Sequence, residues 1–276
     1  MKDDKIRKLV RRRYATIAKD QSCCQTQSKC ISDSAKLGEE VSKRIGYSEE
    51  EIKAVPEGAN LGLGCGNPVA LASLQQGETV LDLGSGGGFD CFLAARKVGK
   101  KGRVIGVDMT PEMIDKARQN SQRGQYDNVE FRLGEIENLP IADGTVNVII
   151  SNCVINLSPN KKRVFQEAFR VLEPNGRLMV SDIVLLKKLP ETIRKSAAAY
   201  VACVSGAEMK NEYLQMIKDA GFRDVQVVEE NHFPLEDIIS DPTINEIVKT
   251  SGIAAKEAQK IATTVASVKI SASKPS

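Results

Sequence analysis

The first part of the chain is polar and helical before it becomes strand-like. A helix is predicted over 5–14, another over 34–45, and a third over 48–55, with Ser48 as N-cap and Glu51 three residues on, the spacing of a capping box. Between the first two lies a loop over 20–32 that holds Cys23, Cys24 and Cys30. From Gly77 the pattern changes. Short apolar runs predict strands over 79–83, 103–107, 129–133, 145–151 and 177–185. Helical stretches separate them over 89–98, 110–120 and 161–172, with Thr110 and Pro111 starting the second and Pro174 and Gly176 stopping the third. Continuous β-branched runs between helices predict a parallel sheet covered on both faces.

The remainder predicts helices over 191–200 and 211–220, a strand over 224–229 and a mostly helical region over 234–264. Val265, Ser267 and Lys269 alternate with Ala266, Val268 and Ile270, so 265–272 reads as a late edge strand. The expected organisation is a helical segment over 1–60 with a cysteine-bearing loop, then a single α/β unit over 61–276 with a seven-stranded, mostly parallel sheet and helices on both faces.

Composition narrows the function classes. The chain has 276 residues and is 41% hydrophobic, ample for a core. A net charge of +3 gives no general case for nucleic acid or membrane partners. The basic residues between Lys2 and Arg13 read as a solvated helix face. No run approaches the ~18 apolar residues of a membrane span, and the first residues hold no apolar h-region, so a cytoplasmic protein is expected. Seven cysteines, an odd number in a reducing compartment, are no disulfide framework. His232 is the one histidine, which rules out a histidine-based zinc site, and it reads as a surface or cap residue.

The glycine-rich run from Val80 to Asp90 leaves a buried strand, turns, and enters a helix. Glycines let a backbone approach a ligand closely, beyond the carboxyl end of the first strand. A dinucleotide fingerprint would need a third glycine at position 89, which is Phe89. No Lys-Ser/Thr follows for a phosphate loop either. The glycines fall at Gly84, Gly86 and Gly88, after Asp82 and around Ser85, a pattern that resembles the first motif of class I methyltransferases. That resemblance implies S-adenosylmethionine as methyl donor, with Asp82 near its ammonium, Asp108 on the ribose hydroxyls, Met109 on the adenine face, and Glu135 and Ile136 bordering the adenine. The run from Gly62 to Gly66 is also G-x-G-x-G, but no strand precedes it and Pro68 follows, so it reads as an irregular segment over the cofactor cleft.

The residues after the fourth strand face the acceptor. Here they are Ser151, Asn152 and Cys153, where amine-methylating enzymes of nucleic acids carry Asp/Asn-Pro-Pro-aromatic. Cys65 in the irregular segment and Cys203 after the fifth strand supply two more thiols from distant parts of the chain, and soft thiolates bind soft ions. Cys91, on the helix beside the glycine loop, reads as a small buried hydrophobe. Asn152 either orients the methionyl end of the cofactor or satisfies backbone groups.

The run from Leu81 to Cys91, the Val107-Asp-Met109 run, the run from Ser151 to Leu157 and the Cys203-x-x-Gly206-Ala pattern together resemble the arsenite methyltransferases, over about 12–224. Leu63 departs from the family, whose eukaryotic members carry a tyrosine there. The resemblance implies a Rossmann-like class I methyltransferase core with an acceptor-binding insertion over about 186–210. It implies that Cys65, Cys153 and Cys203 bind As(III), and that Cys30 or the Cys23–Cys24 pair serves redox recycling. The individual roles of Cys23, Cys24 and Cys30 stay open between redox relay, a second arsenic site and bystanders. The implied substrate is arsenite or its thiol conjugates, with thioredoxin or glutathione as reductant, in arsenic detoxification. Two other readings compete: a class I enzyme for another small acceptor, and a thiol-rich metalloid-binding protein.

Overall fold

In the computed structural model the described residues are 3–20, 38–189, 191–194, 200, 203, 205–232 and 264–276. Cys23, Cys24, Cys30 and the helical region expected over 234–264 lie outside them. Seven strands form one sheet: β1 (Thr79–Leu83), β2 (Arg103–Asp108), β3 (Val129–Leu133), β4 (Val146–Asn152), β5 (Leu172–Leu185), β6 (Arg223–His232) and β7 (Val265–Ser273). Their spatial order is β3-β2-β1-β4-β5-β7-β6, with β1 to β5 parallel and β7 antiparallel to both its neighbours. Seven strands, mostly parallel and flanked by helices, are what the alternating apolar runs predict.

The chain winds outward from β1 to β3, then returns to place β4 on the other side of β1. The carboxyl ends of β1 and β4 therefore flank a crevice, the usual ligand site of an open α/β sheet. One sheet face buries Val80, Val104, Val148 and Ile150 against the helix at Phe89–Val98; the other buries Leu81, Ile149, Val180 and Ile270 against Val164, Phe165 and Tyr213.

A third apolar cluster lies beyond the strand ends. Ile6 and Val10 of helix α1 (Asp3–Asp20) join Cys65, Cys153, Leu157, Ile193 and Cys203 there. The helix is longer than its predicted core of 5–14, and it carries acids in its first turn and Lys19 in its last, as the helix dipole favours. Ser48 caps Glu49–Lys53 in the predicted capping box. Among the described residues no helix is long and apolar enough to cross a membrane.

One expectation is overturned. The strand over 265–272 is not at the edge: β7 lies between β5 and β6, and β6 is the edge strand. Its polar positions misled because they are paired within the fold, with the loop at Cys65 and with β6, rather than with water. Ser267 donates through Oγ to the carbonyl of Cys65 at 2.8 Å, and Lys269 pairs with Glu229 at 2.8 Å. Both are buried, so the alternation marks two covered faces of different chemistry.

Arg177 at the start of the central part of β5 anchors the approach to β1. Its guanidinium donates to both carboxylate oxygens of Glu78, at 2.6 and 2.8 Å, and to the carbonyls of Ala72 and Ser73 at 2.8 and 3.0 Å. Arg177→Met leaves a mostly buried carboxylate and two carbonyls unpaired, and should lower the unfolding free energy by about 1–3 kcal/mol in urea titration. An unchanged midpoint would show that the fork carries no net stability.

Candidate active site

The glycine loop after β1 divides its labour. Gly86 has φ 50° with nothing within 4 Å of where a Cβ would stand, so it leaves the backbone open to a ligand. Gly84 has φ 72°, and a Cβ there would lie 2.3 Å from Val154. At Gly88, φ is 95° and a Cβ would meet Phe92 and Phe131 at 2.7 and 2.9 Å, so this glycine serves the turn into the helix and its packing.

Above the loop opens a cleft between the ends of β1, β2 and β4, helix α1 and the irregular segment. Asp82, Gly84, Ser85, Gly86, Asp108, Met109, Ile136, Asn152 and Cys153 line it, while Gly88 and Glu135 do not. Asp108 accepts from the backbone N–H groups of Gly86 at 3.0 Å and Thr110 at 2.8 Å, which fixes its carboxylate at the end of β2. Ser85 Oγ is buried without a hydrogen-bond partner. An unpartnered hydroxyl, a ligand-facing glycine and an anchored acid fit a nucleoside-bearing ligand.

Glu135 turns away from the cleft to Arg7 at 3.2 Å and Arg11 at 3.6 Å of α1. Glu137 lines the cleft instead, accepting from Ser158 Oγ at 2.7 Å and Arg7 at 3.4 Å. Arg7, Val10 and Tyr14 bring α1 onto the cleft wall, a role the sequence did not signal.

Asn152 closes the strand end against the irregular segment. Its Oδ1 accepts from the Cys65 N–H at 2.9 Å. Its Nδ2 lies within donating distance of the Gly66 carbonyl, the Tyr47 hydroxyl and Asp90 Oδ2, at 2.8, 3.0 and 3.1 Å. The amide thus engages backbone and neighbouring side chains while also lining the cleft, which is compatible with either role open to it. Gly66 must be small here, since a Cβ would lie 2.1 Å from Ser181 Oγ.

The cysteines come from three segments. Cys65 and Cys153, separated by 88 positions, are joined by a disulfide with a Cα–Cα distance of 5.8 Å. The Cys203 thiol donates to the Cys153 carbonyl at 2.9 Å. Cys153 and Cys203 both sit in left-handed backbone, at φ 58° and 62°, a conformation that costs a side-chain-bearing residue about 1–2 kcal/mol. Cys91 is a buried thiol that donates to Asp82 Oδ2 at 3.2 Å.

A residue the sequence reading missed stands beside the sulfurs. A carboxylate oxygen of Asp182, on β5, and the sulfurs of Cys65 and Cys153 all lie within 4.8 Å of one another, and Cys203 is not part of that group. The signal was available: Ser181-Asp182 interrupts the apolar run over 178–185 of β5. Burial pushes the Asp182 carboxyl up to about 6, although the N–H of Ile183 and the Tyr213 hydroxyl pull it down. Burial likewise raises Asp90 to about 6, against hydrogen bonds from Tyr47 and Asn152. Asp82 rises well above the usual range through burial and the neighbouring Asp90.

The family model of a methyltransferase domain matches residues 74–221. The arsenite methyltransferase of Halobacterium salinarum is 46% identical over 92% of this chain and 67% of its own length. This chain belongs to the arsenite methyltransferase family. The human arsenite methyltransferase is 32% identical over 84% of the chain, which spans 62% of the human protein. The chain spans 52% of the relative from Aquipseudomonas alcaligenes. Among solved structures, an arsenic(III) S-adenosylmethionine methyltransferase from Chlamydomonas reinhardtii is similar with a TM-score of 0.61, at 30% identity, covering 86% of this chain and 73% of that one. The class I methyltransferase fold is thus the fold of this chain.

The buried acids of this family member set a pH signature. A carboxyl whose folded pKa is raised holds its proton more tightly in the native state, so its contribution is present at low pH and lost as pH rises through the folded value. Asp90 and Asp182 both titrate near 6 when folded, against an ordinary value of 3.8. The unfolding free energy should therefore fall as pH rises from about 4 through about 6. Denaturant titrations across that window would show it, and a flat or rising profile would contradict the assignment.

Proposed function

We propose that this chain methylates thiol-held trivalent arsenic with S-adenosylmethionine, in arsenic detoxification. The observation that carries the reading is the meeting of Cys65 and Cys153 beside the loop after β1, with the Cys203 thiol 2.9 Å from the Cys153 carbonyl. Thiols from positions 65, 153 and 203 share one apolar cluster, and Cys153 among them lines the cleft, which suits a soft acceptor.

In this reading Asp108 would take the ribose hydroxyls, Met109 and Ile136 would flank the adenine, and the Gly84–Gly86 backbone with Ser85 and Asp82 would hold the methionyl end; that all of them line the cleft supports it. Glu137, which lines the cleft, takes in this reading the adenine-bordering role expected of Glu135, which does not line it. When bound, the cofactor supplies an electrophilic methyl group on a sulfonium sulfur. The lone pair of thiolate-held arsenic forms the new As–C bond in line, and the electron pair of the broken C–S bond stays on sulfur. No proton leaves the nucleophile, so no general base is required, in keeping with a chain that has one histidine. The residues contribute proximity and alignment, the largest lever open to such a site.

Methyl transfer formally oxidises arsenic by two electrons. Two thiols of the chain return them by forming a disulfide and releasing two protons, and the Cys65–Cys153 bond is a product of that kind. An external thiol, from thioredoxin or glutathione, then reopens it by exchange. Cys23, Cys24 and Cys30 are proposed to take part in this relay.

Arsenite, S-adenosylmethionine and thioredoxin or glutathione should yield methylarsenicals, resolved by mass. Cys153→Ser and Cys203→Ser should each lower turnover by on the order of 100-fold by misplacing the acceptor. Arsenite binding by the wild type without any methylated product would sink the reading in favour of a sequestering protein. Methylation of another acceptor by Cys153→Ser would favour a different class I activity.

A further inference from the structure

Asp182 is a buried acid that the proposed methyl transfer does not use. It is 0% exposed, and its environment is built to hold it in one orientation. Asn156 Nδ2 donates to Oδ1 at 2.8 Å, the Ile183 N–H donates to the same oxygen at 2.9 Å, and the Tyr213 hydroxyl donates to Oδ2 at 2.9 Å. A carboxylate oxygen accepts at two lone-pair positions. Oδ2 therefore keeps one position after Tyr213 is satisfied.

The cation that bears on Asp182 is Lys161, but its ammonium donates to the Ser158 carbonyl at 3.1 Å and lies 3.9 Å from Glu208. Among the described residues Asp182 makes no ion pair. A buried acid of this kind needs pairing or coordination to be comfortable. The nearest groups able to complete a coordination shell are the two sulfurs, and all three ligand atoms lie within 4.8 Å of one another.

We infer that, once its disulfide is reduced, the chain binds a thiophilic divalent cation such as Zn²⁺ through the thiolates of Cys65 and Cys153 and the carboxylate of Asp182. The donor set is mixed. Two thiolates and one carboxylate suit zinc or cadmium, whereas magnesium and calcium take oxygen alone. Binding replaces two thiol protons, released to solvent, with one divalent cation. The buried net charge is then the same as that of the carboxylate with two neutral thiols. Asn156 and Tyr213 act as the outer hydrogen bonds that orient a ligating carboxylate. Cys153 lies on the wall of the cofactor cleft, which gives the ion its entrance.

Occupancy has a consequence. A cation held by Cys65 and Cys153 excludes both their disulfide and any acceptor that needs those sulfurs. Arsenic and a divalent cation would compete for two shared thiolates while differing in the third ligand, Cys203 for one and Asp182 for the other.

The test uses the full chain reduced with a phosphine and titrated with Cd²⁺, read by ultraviolet thiolate-to-metal charge transfer, with no methyl transfer measured. Its outcome is therefore independent of the proposed enzymatic activity. One Cd²⁺ per chain is expected, with affinity reduced on the order of 10- to 100-fold by Asp182→Asn or by Asn156→Ala. Cys203→Ser should leave the affinity unchanged. X-ray absorption of the zinc-loaded wild type, which needs no variant to fold, should count two sulfur donors with oxygen completing the shell. A third sulfur in that shell, loss of binding in Cys203→Ser, an unaltered affinity in a folded Asp182→Asn, or no stoichiometric binding would overturn the inference.

Discussion

Asn152 ends β4 and ties together segments 87 residues apart by accepting from the Cys65 N–H and donating to the Gly66 carbonyl. The irregular segment over 62–66 has no strand of its own to hold it. Its backbone groups must be satisfied by side chains, or the loop would leave the sheet. Asn152 supplies one side of that attachment and Ser267 of β7 the other, through the Cys65 carbonyl. Cys65 is thus brought to Cys153 by an amide one position away in sequence. The position of β7 inside the sheet follows the same logic: its polar face is where the loop docks.

The second constraint is backbone conformation. Cys153 follows directly on Asn152 and turns the chain out of β4 through left-handed φ, and Cys203 does the same in its own turn. Neither residue is a glycine or asparagine, which adopt that conformation cheaply. Such strain persists only where its surroundings enforce it and gathers at functional sites. The enforcing contacts are visible: the Cys153 N–H donates to the Ser181 carbonyl at 2.8 Å, and Cys203 reaches back to the Cys153 carbonyl. A substitution that relaxed either turn would gain local stability and move a sulfur.

Legibility in the sequence followed the range of the interactions. β1 and the helix after it come out with their predicted bounds, because apolar runs and glycine punctuation are local signals. The place of β7 did not, since pairing partners are non-local and a polar face looks the same towards water as towards a docked loop. Asp82, Asp108 and Met109 were readable from their order along a known topology, and they line the cleft. Glu135 and Glu137 were indistinguishable in sequence. Which one faces the cleft depends on non-local partners: Glu137 is held by Ser158 and Arg7, while Glu135 reaches Arg7 and Arg11 of α1. Asp182 was hidden by its place in a strand, yet a charged residue amid β-branched neighbours is the mark of a buried group with a purpose.

The acids around the cleft are costly to the protein when it stands alone. Asp82 and Asp90 are buried and Asp108 is half-buried, and desolvation raises each of them. Their hydrogen bonds from Cys91, Tyr47, Asn152 and the backbone N–H groups of Gly86 and Thr110 offset part of that cost. An acid cluster of this kind suits a ligand that is itself cationic, since an opposite charge favours the ionised form and desolvation strengthens the attraction. A sulfonium with an ammonium group meets that condition, whereas a pyrophosphate would be repelled. The acids of the cleft and the missing third glycine thus point the same way, towards a cationic rather than a pyrophosphate-bearing ligand.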